Sequence, residues 1–312
     1  MILLETTPTL EKNELVSKIK HIFLNFEQYK YNRVLIEFFT DENIFIGDNV
    51  LETTFKIQKN SAPIIYEVSG PYDAKSNSYP TIARVFYEGN LIYECDLKPG
   101  ILQRTAAMTW LYIDVLEHKP ERILLFGGGN LSFHIASYLK GYIPNLMKID
   151  YNDVEQKRNR FETPLREIGL TVNFTPTHDL SHYDTIIMAT NTKDYILHAR
   201  NISQIKPGTL VISLCTTSQM GEISEDIYNR HDVNVFLDYP ETKTFTADMK
   251  KANTLGYLEK GILFLDIIKK RASYDLRSKV NIVRLSGTPM QNVAVIDMML
   301  EKKNLMPLLG NE

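Results

Sequence analysis

Cysteine is nearly absent. Cys95 and Cys215 are the only two in 312 residues, far apart and without metal-ligand spacing. That usage excludes a disulfide framework and predicts a reducing, cytoplasmic setting. No apolar run approaches the roughly 20 residues of a membrane span, and Met1-Ile2-Leu3-Leu4-Glu5 lacks the basic start and apolar core of a signal peptide. No membrane partner is therefore expected. An excess of one charge is also missing: 35 Lys and Arg stand against 38 Asp and Glu, a net of −3, so there is no electrostatic footprint for nucleic acid. The seven histidines are scattered. No metal site is expected, and His134 and His231 read as structural.

What is present is ordinary for a globular protein, with 44% hydrophobic and 23% charged residues, in a chain long enough for two domains. Residues 10–30 carry apolar side chains at helical spacing. Short β-prone runs follow at 34–39, 64–68, 81–87 and 91–95, the last two joined by Glu88-Gly89-Asn90 as a hairpin. Helical spacing returns from Gln103 to Leu116. Strand patterns at 122–126, 146–149, 171–174, 184–189, 209–214 and 233–237 then alternate with helical stretches at 131–140, 153–168, 194–204 and 222–230. Such alternation predicts a doubly wound α/β domain with a parallel sheet. The remainder, Ala252 to Lys270 and Thr288 to Lys303, reads as helical and is expected to return to the first domain, making it discontinuous. The expected division is 106–287 for the doubly wound domain, and 1–105 with 288–312 for an α+β domain.

One stretch carries chemistry. The apolar run Ile123-Leu124-Leu125-Phe126 leads into Gly127-Gly128-Gly129-Asn130-Leu131-Ser132 and then into helical spacing. A buried strand, a glycine turn and a helix start together build an anion site. Gly127 makes the turn, and Gly129 lets the backbone approach a pyrophosphate. The helix start at Asn130, Leu131 and Ser132 offers N–H donors and the positive end of a dipole. The pattern asks for an acid about 20 positions on, at the end of the second strand, to accept from a ribose. Asp150 is read as that acid, and it favours NAD. Lys157, Arg158 and Arg160 lie close enough in sequence to keep NADP open. Thr190 and Asn191, after the strand 184–189, fall where ligands sit in such sheets, or where Thr190-Asn191-Thr192 caps the next helix. An adenosyl group from a methyl donor is the other ligand this pattern accommodates.

Arg104, in Gln103-Arg104-Thr105-Ala106-Ala107, stands at the start of a predicted helix, where a guanidinium fork and free N–H groups make a carboxylate clamp or, alternatively, a plain surface arginine. The run Arg104-Thr105-Ala106-Ala107, a glycine turn about 20 residues later, and Gly287-Thr288-Pro289-Met290-Gln291-Asn292 together resemble the ornithine cyclodeaminase/mu-crystallin family over about residues 60–300. The resemblance implies a Rossmann-type sheet plus a discontinuous substrate and dimerisation domain. It further implies NAD(H) or NADP(H), a small amino, imino or 2-oxo acid as substrate, a homodimer, and Arg104 on the substrate carboxylate. The chain departs from the family at five places: Tyr66 and Glu67 stand where a lysine is usual, Cys215–Ser218 holds no acid where an aspartate is usual, Asn292 replaces an aspartate, Pro289 sits where a small residue is usual, and Arg84 adds a charge in a strand that is often uncharged. Glu67, with Tyr66 second, is the expected acid/base, against a solvated strand residue and a core aromatic. The expected function is NAD(P)-dependent oxidoreduction at the C–N bond of a small amino or imino acid. The alternatives are a cyclodeaminase-type lyase using NAD transiently and a dinucleotide-binding protein without turnover.

Overall fold

The computed structural model describes residues 5–39, 45–59, 61–71, 80–153, 158–176, 179–190, 192, 194–214 and 221–309. The chain forms two compact units. One is Met1–Met108 with Thr288–Glu312, and the other is Thr109–Gly287.

The first unit is built on an antiparallel sheet in the order β1 (Tyr29–Phe39), β2 (Phe45–Lys56), β3 (Ile64–Pro71), β4 (Ile82–Tyr87) and β5 (Asn90–Asp96). Alternate residues point to one buried face, including Glu52 and Thr54 on β2, Ile64, Tyr66 and Val68 on β3, and Ala83 and Val85 on β4. The β4–β5 turn has Glu88 and Gly89 both at positive φ (50° and 78°), the pairing that matches the twist of a tight hairpin. Helix α1 (Lys12–Leu24) buries Leu15, Ile19, Ile22 and Phe23, one stripe at helical spacing. Helix α8 (Pro289–Lys302) packs on α1 and β2. Helix α2 (Lys98–Val115) begins five residues before Gln103, so Arg104 lies in its second turn and not at its N-terminus.

The second unit holds a parallel sheet. Its order is β12 (Ile262–Leu263), β11 (Val233–Leu237), β13 (Val280–Arg284), β10 (Leu210–Ser213), β9 (Thr185–Met188), β6 (Ile123–Phe126), β7 (Lys148–Asn152) and β8 (Thr171–Phe174). Each pairing within it is parallel. Strands β6, β9, β10, β11 and β13 are buried along their whole length, as expected of a sheet covered on both faces. From β6 the chain winds through α3 (Asn130–Tyr142) to β7 and through α4 (Arg158–Glu167) to β8. It then returns to β9 on the other side of β6. The order reverses between β6 and β9, and ligands of open α/β sheets bind outside the strand ends at such a point.

Several elements differ from expectation. The second strand of this sheet spans Lys148–Asn152, later than 146–149. The helix expected at 194–204 contracts to α5 (Ala199–Ile202), because Leu197 bridges Ile223 in strand fashion. The stretch 222–230 holds only a 3-10 turn at Glu225–Asn229. Residues 252–270, expected as one helical run returning to the first unit, lie instead in the second, where α6 (Ala247–Thr254) precedes β12 and α7 (Phe264–Ile268). Strands β2 and β13 had no counterpart in the sequence reading.

Candidate functional site

The glycine turn follows β6. Gly127 has φ 99°, and a Cβ there would lie 2.4 Å from the Ala189 carbonyl oxygen, so only glycine fits. Gly128 donates its N–H to Asp153 Oδ2 at 2.8 Å. Gly129 precedes α3 in extended geometry, and a Cβ built on it meets nothing within 4 Å. Around the turn lies a cavity of about 830 Å³, walled by the three glycines, Asn152, Asp153, Thr190, His198 and Arg200. It sits at the carboxyl ends of β6, β7 and β9, which is the switch point of the sheet.

The turn leaves N–H donors open to an anion. The first intrahelical bond of α3 runs from Phe133 N to Gly129 O, so the N–H groups of Asn130, Leu131 and Ser132 precede the helical ladder. Open space at Gly129 gives a phosphate room to approach them. Ser132 is fully buried, and its Oγ lies 3.4 Å from a Cβ built at Gly127, so a small residue lets α3 seat against the turn. Arg200 adds a cation to the lining.

Asp150 is not part of this cavity. It sits in mid-strand, where its carboxylate accepts from Asn173 Nδ2 (3.2 Å) and Tyr183 OH (3.1 Å), with Lys148 Nζ at 3.3 Å. Burial, then Asp150, pushes the Tyr183 phenol up to about 12. The acid beside the glycine turn is Asp153, three residues later. The strand runs further than its apolar core suggests, and that extension carries the end position from Asp150 to Asp153. Asn191, Lys157 and the run Cys215–Ser218 lie outside the described residues, as do the side chains of Arg158 and Arg160.

Thr190 lines the cavity and caps no helix. Its N–H and Oγ1 both donate to Glu222 Oε1, at 2.9 and 2.7 Å. Ser213 Oγ (2.7 Å) and Leu214 N (3.2 Å) donate to Glu222 Oε2. Glu222 is fully buried; burial raises its pKa, while these hydrogen bonds and Arg284 act the other way. Arg284 donates through Nη1 to Ser213 Oγ and through Nη2 to Thr246 Oγ1 (3.0 Å), and pairs with Asp248 (3.2 Å). Tyr228 OH donates to Asp248 at 2.9 Å. This network ties the ends of β9, β10 and β13 together through Glu222 and Arg284. Sequence reasoning missed Glu222, which followed no strand or motif.

Arg104 belongs to the first unit and is only 4% exposed. Its Nε donates to Asn292 Oδ1 (3.2 Å) and its Nη1 to Gln291 Oε1 (2.7 Å). Asn292 Nδ2 donates in turn to Glu52 Oε2 (2.6 Å), and Glu52 pairs with Arg33 at 3.0 Å. This chain of contacts holds two guanidiniums and one carboxylate, and both direct partners of Arg104 are neutral amides. Among the described residues no carboxylate lies within ion-pair distance of Arg104. A buried cation without a counter-charge is costly unless an anion joins it. The amides lie in the first turn of α8, which Thr288 caps by accepting from Gln291 N. The helix start beside Arg104 is thus that of α8 and not its own.

Tyr66 and Glu67 are engaged elsewhere. Tyr66 is buried and donates to Asp297 Oδ1 at 2.7 Å. Burial, with Asp297 second, holds its phenol well above the usual range. Glu67 is half-exposed and accepts from Arg84 Nη1 (3.0 Å), while Arg84 Nε donates to Glu94 (2.6 Å). Neither contacts Arg104. Cys95 is buried, and burial pushes its thiol up to about 11, which makes it a poor nucleophile.

No protein-family model matches the chain, and no curated protein does. Solved structures match along nearly its whole length. The probable ornithine cyclodeaminase of Bordetella pertussis Tohama I superposes with a TM-score of 0.77 at 17% identity, covering 95% of this chain and 94% of its own. The Δ1-pyrroline-2-carboxylate reductase of Thermococcus litoralis, solved with NADH and L-proline, gives 0.77 at 13% with the same coverage. The iminosuccinate reductase of Paracoccus denitrificans, solved with NAD+, gives 0.76 at 13%, again over 95% and 94%. At such identities the likeness is one of fold. It is shared with the group that the Arg104-Thr105-Ala106-Ala107 resemblance pointed to.

Proposed function

We propose that this chain is an NAD-dependent oxidoreductase acting on the C–N bond of a small amino or imino acid. The observation that carries the reading is Arg104, a buried guanidinium with neutral partners, in a chain whose parallel sheet also ends in a glycine turn open to phosphate. Support comes from the neighbours of the same fold, two of which are solved with NADH or NAD+. When bound, the nicotinamide would supply or accept the hydride. The chain's part is to hold the pyrophosphate at Gly129, Asn130, Leu131 and Ser132, to present Asp153 to the ribose, and to anchor the substrate carboxylate at Arg104.

A carboxylate at the ribose accepts from a 2′-hydroxyl and repels a 2′-phosphate. Asp153, already fixed by the Gly128 N–H, takes this role in place of Asp150. The test is a fluorescence titration with NADH and NADPH, followed by a screen of 2-oxo acids and cyclic imines, with and without amines. NADH should bind more tightly than NADPH, and Asp153→Ala should narrow the gap while Asp150→Ala leaves it. Tighter NADPH binding by the unaltered protein would sink the assignment. In the screen NADH should be consumed. Ammonia release without net NADH loss would point to a lyase, and binding without either to a non-catalytic protein.

The homodimer that the resemblance implies suits the outer face of the five-stranded sheet. There Val34 and Leu51 pair directly and stand 43% and 39% exposed. Exposed apolar cross-strand pairs of this kind are what a second copy would cover. Light scattering should give twice the chain mass of 36.0 kDa, falling to the single mass in Leu51→Lys. A monomer from the unaltered protein would refute it.

A further inference from the structure

We infer that Gln291 is a substrate-binding residue, whose side-chain amide donates to the same carboxylate that Arg104 anchors. The orientation of the amide is forced. Arg104 Nη1 can only donate, so the atom 2.7 Å from it must be the amide oxygen. The nitrogen is therefore the free end, and it carries two N–H donors. Gln291 is 1% exposed, and its Nε2 is buried without a hydrogen-bond partner. Native proteins seldom leave such a donor unmet, and an unmet one points to a missing acceptor.

The neighbouring amide shows what the site does when an acceptor is present. Asn292 is polarised the same way, with its oxygen toward Arg104 Nε, and its nitrogen is satisfied by the Glu52 carboxylate at 2.6 Å. Of two amides oriented by one guanidinium, one reaches a carboxylate supplied by the protein, and the other reaches no acceptor among the described residues. The missing acceptor should itself be anionic, because Arg104 has no direct counter-charge among the described residues and the start of α8 adds the positive end of a dipole. A small carboxylate meets both needs, with one oxygen for the guanidinium and the other for the amide. A neutral carbonyl meets only one. This rests on the reading of Arg104 as the carboxylate anchor.

Gln291→Met is the decisive variant, being close in volume and uncharged. Pyruvate, oxalate and L-proline would be titrated calorimetrically onto the full chain saturated with NAD+, with NADH binding and a thermal melt as controls. Losing a hydrogen bond to a charged group should weaken carboxylate binding about tenfold or more, with NADH affinity unchanged. If Gln291 only shields Arg104, the variant will bind carboxylates equally well or more tightly, and the inference fails. Should the methionine variant not fold, Gln291→Glu keeps an acceptor for Arg104 and replaces the donor by a charge. It should fold normally and lose carboxylate binding, and retained binding would overturn the inference. Carboxylate binding lost in Arg104→Met but kept in both Gln291 variants would leave the anchor standing and remove Gln291 alone. No carboxylate binding by the unaltered chain would remove both.

Discussion

Gly129→Val should abolish dinucleotide binding and leave the fold untouched. The two halves of that expectation have separate causes. A Cβ at this position meets no atom within 4 Å beyond its chain neighbours, and the backbone there is at φ −86° and ψ −175°, which a β-branched residue adopts without strain. Its effect on stability should therefore stay within about 0.5 kcal/mol, about 2 °C in melting temperature. The same empty space is the approach to the first N–H groups of α3. Filling it would cost about two charge-assisted hydrogen bonds at roughly 1.5–3 kcal/mol each, a loss of about 100-fold or more in NADH affinity. Gly127→Ala is the contrast. At φ 99°, with a Cβ 2.4 Å from the Ala189 oxygen, it forces the backbone to move, so melting temperature and NADH affinity should fall together. Titration of NADH fluorescence with a parallel melt separates the two. Unchanged NADH affinity in Gly129→Val would show that the phosphates do not lie over this turn.

The contrast also shows which parts of the molecule could be read in advance. The glycine turn is local: strand, turn and helix are consecutive, so their residue types declare them. Strands β6, β8, β9, β10 and β11 were legible for the same reason, each a short apolar run between breakers. Strand β13 was not, because it contains Asn281 and ends at Arg284. Burying that arginine depends on Asp248, Thr246 and Ser213, which come from other elements. Strand β2 carries Asp48, Asn49, Glu52 and Lys56 and no clean alternation, and Glu52 is held inside by Arg33 and Asn292. The end of β7 was misplaced because apolar character stops at Ile149, while the ladder to β6 continues through Asn152. Arg104 was visible as a residue but not as a site. Its partners lie 187 and 188 positions away, and no local pattern predicts that they are amides and not acids.

That missing counter-charge makes Arg104 the most consequential substitution in the first unit. Arg104→Met keeps much of the volume and removes the cation. If a substrate carboxylate completes the charge balance, deleting the guanidinium leaves that carboxylate buried without a partner. Truncating one side of such a pair costs about 2–5 kcal/mol, so kcat/KM for the carboxylate substrate should fall roughly 30-fold to several thousandfold. NADH affinity should stay within about twofold, because the N–H groups assigned to the phosphates belong to the other unit. Stability serves as the control. In either role removal strands the Gln291 and Asn292 oxygens, at about 1–3 kcal/mol, and relieves the desolvation of the guanidinium, which offsets part of that cost in the ligand-free protein. What separates a core arginine from a substrate anchor is turnover per folded molecule. Steady-state kinetics with the melt of the same sample distinguish them. A large loss of stability with kcat/KM per folded molecule preserved would make Arg104 a core residue. A deep loss of turnover per folded molecule would mark it as the substrate anchor.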